Sequence, residues 1–307
     1  MNYINEQKNK LLVIIVTYNA MKWTERCFGS LRNSSVQNDV FVVDNGSTDG
    51  TQDYIKKNYP EVKFQQSSEN LGFGKANNIG LQYALDNDYD YVYLLNQDAW
   101  VMEDTFEKLI EVFQKNKEYG ILSPMQMQAN LNHYDRNFGY AISNWNKGVR
   151  LIEDLYFSRT VKVYECAQVM AAHWMLTKSC LTCVGGFSPS FPHYGEDGNY
   201  IDRALRQNIK VGFTPCAIAV HDREYRELTS KQIIYGSYAA TIQRLSGWSY
   251  GSCFSIVTYY LLTCLQYTFR YLSLKPLHFF IKILYHLAEI LRNRKKSDCN
   301  FAFLITN

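Results

Sequence analysis

Three apolar runs that each end in a polar cluster constrain this chain more than any other feature. They are LLVIIVTYN from residue 11, DVFVVDNGSTDG from residue 39 and YVYLLNQDAW from residue 91. Each is apolar without alternation, the pattern of a strand buried on both faces of a parallel sheet. Between them the sequence predicts helices over 22–33 and 48–58, the second with Ser47 or Thr48 as its cap. It also predicts a short strand at VKFQQ, a Gly-rich turn from 71 that enters a helix, and a helix over 103–117. Strand and helix in alternation with short connections imply a mainly parallel sheet flanked by helices, joined by right-handed crossovers. The polar strand ends at 17–19, 43–50 and 96–98 then gather at one edge, where open parallel sheets bind ligands.

Beyond residue 120 the pattern is less regular. Short strands are expected at 137–142 and 160–177, a helix over 196–207 after a Gly/Pro/aromatic loop, and a strand near 210–214. From 231 onward the sequence reads as helix. Residues 254–292 are apolar and aromatic but carry Gln266 and Arg270, and their uninterrupted part is shorter than a membrane-spanning helix requires. The segment LHFFIKILYHLAEILRNRKK is amphipathic and ends in a basic cluster. It suits a membrane interface and equally a helical cap or a dimer face. The expected division is residues 1–225 as a catalytic domain and 226–307 as a C-terminal helical extension.

Composition removes other classes. A net charge of +3 on 307 residues excludes a nucleic-acid binder driven by phosphate contacts. The eight cysteines accompany no secretory signal, since the run at 11–16 is too short for a signal core. Free thiols in a reducing compartment are expected. Cys180 and Cys183 form a CxxC without a second pair at zinc spacing, which reads as structural. The adjacent acids Glu196 and Asp197 open a helix. From pattern alone they either complement its dipole or supply acid–base chemistry. Arg203 and Arg206 on the same helix are placed to hold a phosphate or pair with those acids.

The pieces VTYN (16–19), VVDNGSTDGT (42–51), NLGFGKANNIG (70–80), LLNQDA (94–99), VGGF (184–187) and YGED (194–197) stand in an order that resembles family 2 glycosyltransferases. The likeness is nearest the bacterial rhamnosyltransferase branch and spans about residues 10–225. It implies a GT-A fold, a Rossmann-like α/β sheet that binds a nucleotide sugar. It also implies an inverting transfer from a UDP- or dTDP-sugar to a glycan or lipid-linked acceptor in cell-surface polysaccharide synthesis. By that resemblance Asp197 is the general base, with Glu196 beside it. Asp98 and His221 hold a divalent cation, Mg²⁺ or Mn²⁺, for which oxygen-rich ligation is apt. The nucleotide sugar is met by Thr17, Tyr18, Asn19, Asp44, Asn45, Asn70, Gly72, Gly74, Lys75, Asn77, Asn96 and Gln97, with Asp44 reading the pyrimidine ring. Trp174, Phe191, His193 and Tyr194 are expected to wall the acceptor. The family's usual Asp-x-Asp here begins with Asn96, and Asn199 replaces another usual acid. A cytoplasmic enzyme on the inner face of the cell membrane is expected. The competing readings are a catalytically weak nucleotide-sugar-binding protein and a sugar nucleotidyltransferase; VTYNAMKW lacks the glycine-rich loop of the latter.

Overall fold

A computed structural model describes residues 9–143, 150–223, 227–248 and 250–305. The chain runs β1 (Leu11–Thr17), α1 (Met21–Arg32), β2 (Asp39–Asp44), α2 (Thr51–Asn58), β3 (Lys63–Gln66), α3 (Gly72–Asp86), β4 (Tyr91–Asn96), β5 (Ala99–Val101), α4 (Thr105–Lys115) and β6 (Tyr119–Met127). It continues α5 (Arg136–Ala141), α6 (Leu151–Tyr156), β7 (Tyr164–Glu165), β8 (His173–Thr177), α7 (Lys178–Val184), α8 (Glu196–Arg206), β9 (Lys210–His221), α9 (Ser230–Ser246), α10 (Cys253–Tyr271) and α11 (Lys275–Lys296).

The strands form one sheet in the order β3-β2-β1-β4-β8-β6-β9-β5, with β7 on the outer part of β9. The four strands from β3 to β4 are parallel, as the apolar runs predict. β8 then runs antiparallel to both β4 and β6. In register, Thr17 lies beside Asp44 and Val16 beside Asn96, so the polar strand ends do share an edge. One face of the sheet packs Ile14, Leu94, Trp174 and Phe187 against α3, α7 and α8. The other packs Ile15, Tyr93, Phe28, Phe106 and Phe113 against α1 and α4. A third cluster joins α9, α10 and α11 around Ile242, Tyr260 and Ile283, and includes Phe191. Two buried layers on either side of a sheet account for a domain of this size without cross-links. All eight cysteines are free, Cys180 and Cys183 included.

Several expectations change. Residues 137–142 are not a strand. Asp135 caps them as α5, its side chain accepting from the N–H groups of Asn137 and Phe138, so local capping outweighs the apolar look of NFGYAI. The span expected as strand over 160–177 contains only β7 and β8. β6 is a nine-residue strand where no element was expected, and β9 extends seven residues past the expected end at 214, to His221. Helix α2 starts at Thr51 behind Gly50 in the left-handed region, without a side-chain cap. The expected domain boundary falls in 224–226, outside the described residues. After α11 the chain returns to α7 and the loop that follows it: Phe301 N–H donates to Thr182 O, and Gly186 N–H to Ala302 O.

That return explains VGGF. Gly185 ends α7 with φ +79 and ψ −143, a region almost reserved for glycine, and a β-carbon there would overlap the backbone of Phe301 and Ala302. Substituting Gly185→Ala is expected to cost about 2 kcal/mol or more of stability, read as a lower denaturation midpoint with an unchanged m-value. A midpoint equal to wild type would refute this account of the close approach.

Candidate active site

Asp44 ends β2 with no exposed surface. Its Oδ2 accepts from Thr17 Oγ1 at 2.8 Å and Ser47 Oγ at 2.6 Å. Its Oδ1 accepts from Gly46 N, Ser47 N and Gln52 Nε2 at 2.8–3.1 Å. A carboxylate offers about four acceptor directions, so this one is saturated by the protein, and a nucleobase reaches it only by displacing a donor such as the Gln52 amide. Ser47, expected to cap α2, is thus spent on Asp44. Asn19 adopts a left-handed φ of 51°, gives its N–H to Ser47 Oγ and accepts from Thr48 N–H. Gln97 clasps the backbone of Tyr18 from both sides, accepting at 2.6 Å and donating at 3.2 Å, which leaves the Tyr18 ring half exposed. These polar residues first build the loops that surround the sheet edge.

The glycine-rich segment behaves similarly. Gly72 sits at φ +78, where a β-carbon would come within 2.9 Å of Pro192 O. Gly74 brings α3 against Phe187, whose Cβ is 3.1 Å from the position a side chain would take; its role is helix packing. Asn77 is buried and bonded back to Phe73 O, so it does not face a ligand. Asn45 bridges to the same loop, through Leu71 N and Gly72 O, both at 3.4 Å. Asn70, Gly72 and the exposed Lys75 border a cavity of about 640 Å³ shared with His193.

The densest chemistry lies at Asp98. After β4 the chain turns through Gln97 and Asp98 and pairs antiparallel with β9, putting Ala99 opposite His221. Asp98 Oδ1 lies 3.4 Å from His221 Nε2, and the other ring nitrogen, Nδ1, lies 3.3 Å from Asp135 Oδ2. Arg223 Nε approaches Asp135 at 3.8 Å. His221 and Asp135 are buried, whereas Asp98 keeps about a quarter of its side chain exposed. Burial alone would depress the His221 pKa, but Asp135 and Asp98 together raise it. Burial opposes ionisation of Asp135 too, yet His221, the α5 N–H groups and Arg223 bring it down to about 2. His173 supports the arrangement from beneath. It has no exposed surface, contacts Tyr93 OH at 2.8 Å and Val220 O at 3.0 Å, and burial drives its pKa down to about 3. It is a neutral post under the strand that carries His221.

Asn96, Asp98, His221 and Arg223 border a cavity of about 760 Å³ with Arg136, Tyr194 and Glu227. Among the described residues no three His, Cys, Asp or Glu side chains converge as a closed metal site. What converges is one carboxylate oxygen and one imidazole nitrogen on an open cavity, with a second carboxylate behind the imidazole. That is the donor set of an open site with an oriented histidine, in which the remaining positions belong to substrate oxygens and water. Asp135 and Arg223 were absent from the expected set. The signal for Arg223 was its place two residues after His221, and for Asp135 the Asp-x-x start of a short helix.

Asp197, in the first turn of α8, accepts from Gly198 N at 2.8 Å. Burial raises its pKa, against the pull of nearby N–H groups, Arg223 and Ala171. Ala171 adjoins Ala172, whose carbonyl accepts from Asn96 N, which puts Asp197 near the strand end of Asn96, although Asp197 itself is not among the residues that line the Asp98 cavity. Glu196 differs. It is buried, its Oε2 has no hydrogen-bond partner among the described residues, and its Cβ lies near the position a Gly74 side chain would take. Trp174 is fully buried, stacked with Phe187 at 6.5 Å, and Phe191 belongs to the helical core; neither walls a cavity. Tyr194 does, and His193 borders its neighbour. Arg203 faces away from the cavity, donating to Val184 O and Gly186 O, and Arg206 pairs with Asp298. Neither holds phosphate or pairs with Glu196 or Asp197.

Burial raises the pKa of Glu196 to about 7, with Asp197 adding to the rise. A carboxyl with a raised folded-state pKa gives stability that is complete below its unfolded value and lost as pH climbs through about 7. The full swing is at most about 3 kcal/mol. Glu196→Gln is therefore expected to raise Tm relative to wild type at pH 8 by several degrees more than at pH 4.5. A pH-independent difference would show that Glu196 is not a buried titrating acid.

Comparison with known proteins identifies the family and the fold. The family model described as glycosyl transferase family 2 matches residues 12–170. The low-salt glycan biosynthesis hexosyltransferase Agl10 of Haloferax volcanii is 26% identical over 220 residues, 69% of this chain and 67% of the relative. The N-acetylglucosaminyl-diphospho-decaprenol L-rhamnosyltransferase of Mycobacterium tuberculosis is 25% identical over 267 residues, 78% of this chain and 86% of the relative. The solved structure of GalNAc-T7 with UDP, GalNAc and Mn²⁺ superposes with a TM-score of 0.59 at 17% identity, covering 93% of this chain; the chain spans 58% of that structure. With more than half its length under the family model and a sheet of the same architecture, the chain belongs to glycosyl transferase family 2 and has the GT-A fold.

Proposed function

We propose that this glycosyltransferase moves a hexosyl group, of the rhamnosyl type, from a UDP- or dTDP-sugar to a hydroxyl of a glycan or lipid-linked acceptor, with inversion. The observation that carries the reading is the open pair Asp98–His221 with Asp135 behind the imidazole, on the cavity that Arg223 and Tyr194 also border. The donor diphosphate lies against Asp98 and His221, with Arg223 as a fixed cation for the charge that grows as it leaves. Asn96 donates its amide to a phosphate or ribose oxygen. Tyr18 and the Asn19 loop flank the nucleoside, and Gln52 yields to the base at Asp44. A divalent cation, Mg²⁺ or Mn²⁺, held by Asp98 and His221 supplies charge neutralisation to the leaving diphosphate. The Mn²⁺ and UDP in the GalNAc-T7 structure support that choice.

Asp197 takes the proton of the acceptor hydroxyl as its oxygen attacks the anomeric carbon from the side opposite the diphosphate. Its upward-shifted pKa makes it a better proton acceptor than a solvated aspartate. Asp135 holds the imidazole orientation, and His173 fixes the strand beneath. Among the described residues no helix is long and apolar enough to cross a membrane. The exposed Phe254, Leu262 and Phe269 on α10, and Ile281 and Tyr285 on α11, support peripheral contact with a membrane surface.

Asp197→Asn is expected to lower kcat by about 10²–10⁴-fold with donor binding retained, and Asp98→Ala to abolish Mn²⁺-dependent turnover while circular dichroism is unchanged. The assay is slow hydrolysis and transfer from UDP-, dTDP- and GDP-sugars with and without Mn²⁺. Transfer by Asp197→Asn at the wild-type rate would overturn the base assignment. Tight donor binding without hydrolysis or transfer by the wild type would favour a binding protein.

A further inference from the structure

Two cavities meet beside Tyr194. The one that holds Asp98 and His221 shares Tyr194, Leu228 and Gln232 with a second cavity, of about 780 Å³, that runs between α9 and α11. Its lining is mostly apolar: Tyr235, Ala239 and Ala240 from α9, and Phe279 from α11. Gly236 lies in the same wall, and a β-carbon there would have no atom within 4 Å, so the space beside it is open. Three exposed lysines stand around this apolar floor: Lys231 at the start of α9, and Lys275 and Lys282 on α11. No ion pair to a carboxylate engages any of them among the described residues; the ammonium of Lys282 lies 5.7 Å from the ring centre of Phe279.

Three lysines without an acidic partner call for an anion, and the floor between them calls for a hydrocarbon. Few molecules offer both on a scale that fits a cavity of this size. We propose that this groove holds the chain of a single-chain lipid phosphate or diphosphate acceptor. Its phosphate lies among Lys231, Lys275 and Lys282, and its head group reaches past Tyr194 toward Asp197. This inference rests on the reading that transfer occurs at Asp98 and Asp197, and it names the acceptor class for that site. Apolar burial supplies binding in proportion to chain area. The lysines supply a salt-sensitive anchor that places the head at the mouth of the reaction cavity. Leu228, exposed and common to the lining of both cavities, stands where they meet.

The test uses the full chain with geranylgeranyl diphosphate as probe, and inorganic diphosphate and geranylgeraniol as its head and tail alone, read by calorimetry and tryptophan fluorescence. The whole probe is expected to bind at least ten-fold tighter than either part. Gly236→Phe, which fills the groove, is expected to weaken it ten-fold or more without changing UDP binding in Mn²⁺. Lys275→Glu with Lys282→Glu is expected to weaken it and flatten its salt dependence. Ala240→Phe, one turn along the same wall, serves as the second filler should the first not fold. Wild-type affinity no better than that of the parts, or fillers that leave it unchanged, would overturn the proposal. So would a filler that halves the sedimenting mass, which would make the groove an interface between copies. If the wild type binds the lipid diphosphate yet turns over no sugar nucleotide, the transfer reading fails and the groove stands. Turnover with a soluble acceptor but no lipid binding is the reverse.

Discussion

The three-residue ladder between β5 and β9 is the contact on which the site depends. β4 alone would deliver a carboxylate into solvent at the sheet edge. Because the chain turns at Gln97 and pairs Ala99 with His221, and because Asp222 N–H closes on Asp98 O at 2.8 Å, Asp98 is held against an imidazole from a strand more than a hundred residues away. Burying an imidazole and a carboxylate there is costly unless each has a partner. The partners are charges at ion-pair distance: His221 lies between Asp98 and Asp135, though its Nδ1 makes no well-aligned hydrogen bond among the described residues, and Asp135 is further met by the first N–H groups of α5 and by Arg223. The cluster leaves the Asp98 edge and Arg223 partly exposed, and that is where an incoming ligand would meet it.

The same economy governs the loops around the strand ends. The polar residues of TYN and DNGSTDG spend most of their hydrogen bonds on one another, and Asp44 is the hub. A loop stitched this way presents its outer surface, with the half-exposed Tyr18 ring, in a fixed position. Preorganisation of this kind spares a binding site the entropy of ordering its loops when the ligand arrives.

The parallel half of the sheet was legible because an unbroken apolar run has few alternatives once turn residues bound it on both sides. The motif set identified the fold for the same reason, since each piece marks a strand end or a helix start. The second half resisted. β6 is apolar but contains Pro124 and, near its end, Gln126, and its neighbours in space, β8 and β9, lie far along the chain. Asp135 was invisible as a site residue because nothing local to NHYDRNF announces an imidazole 86 positions later; only its capping role could be read. Gly74 and Asn77 were assigned to the ligand when their task is packing. A glycine that admits a phosphate and one that admits Phe187 look the same in sequence.

The pair Glu196–Asp197 shows how helical geometry divides labour between neighbours. Successive residues of a helix point about 100° apart, so two adjacent acids at its first turn cannot share one cavity. Gly195, at φ +90, starts α8 abruptly. One carboxylate then lies within reach of Arg223 and Ala171, beside the strand end of Asn96. The other turns inward toward α3, where Gly74 leaves room for it and no donor meets its Oε2 among the described residues. Below about pH 7 Glu196 is mostly protonated and adds no second full negative charge beside Asp197. The two acids thus part ways: burial raises the pKa of both, and Asp197, the one near Arg223 and the Asn96 strand end, is the one left to accept a proton in the proposed reaction.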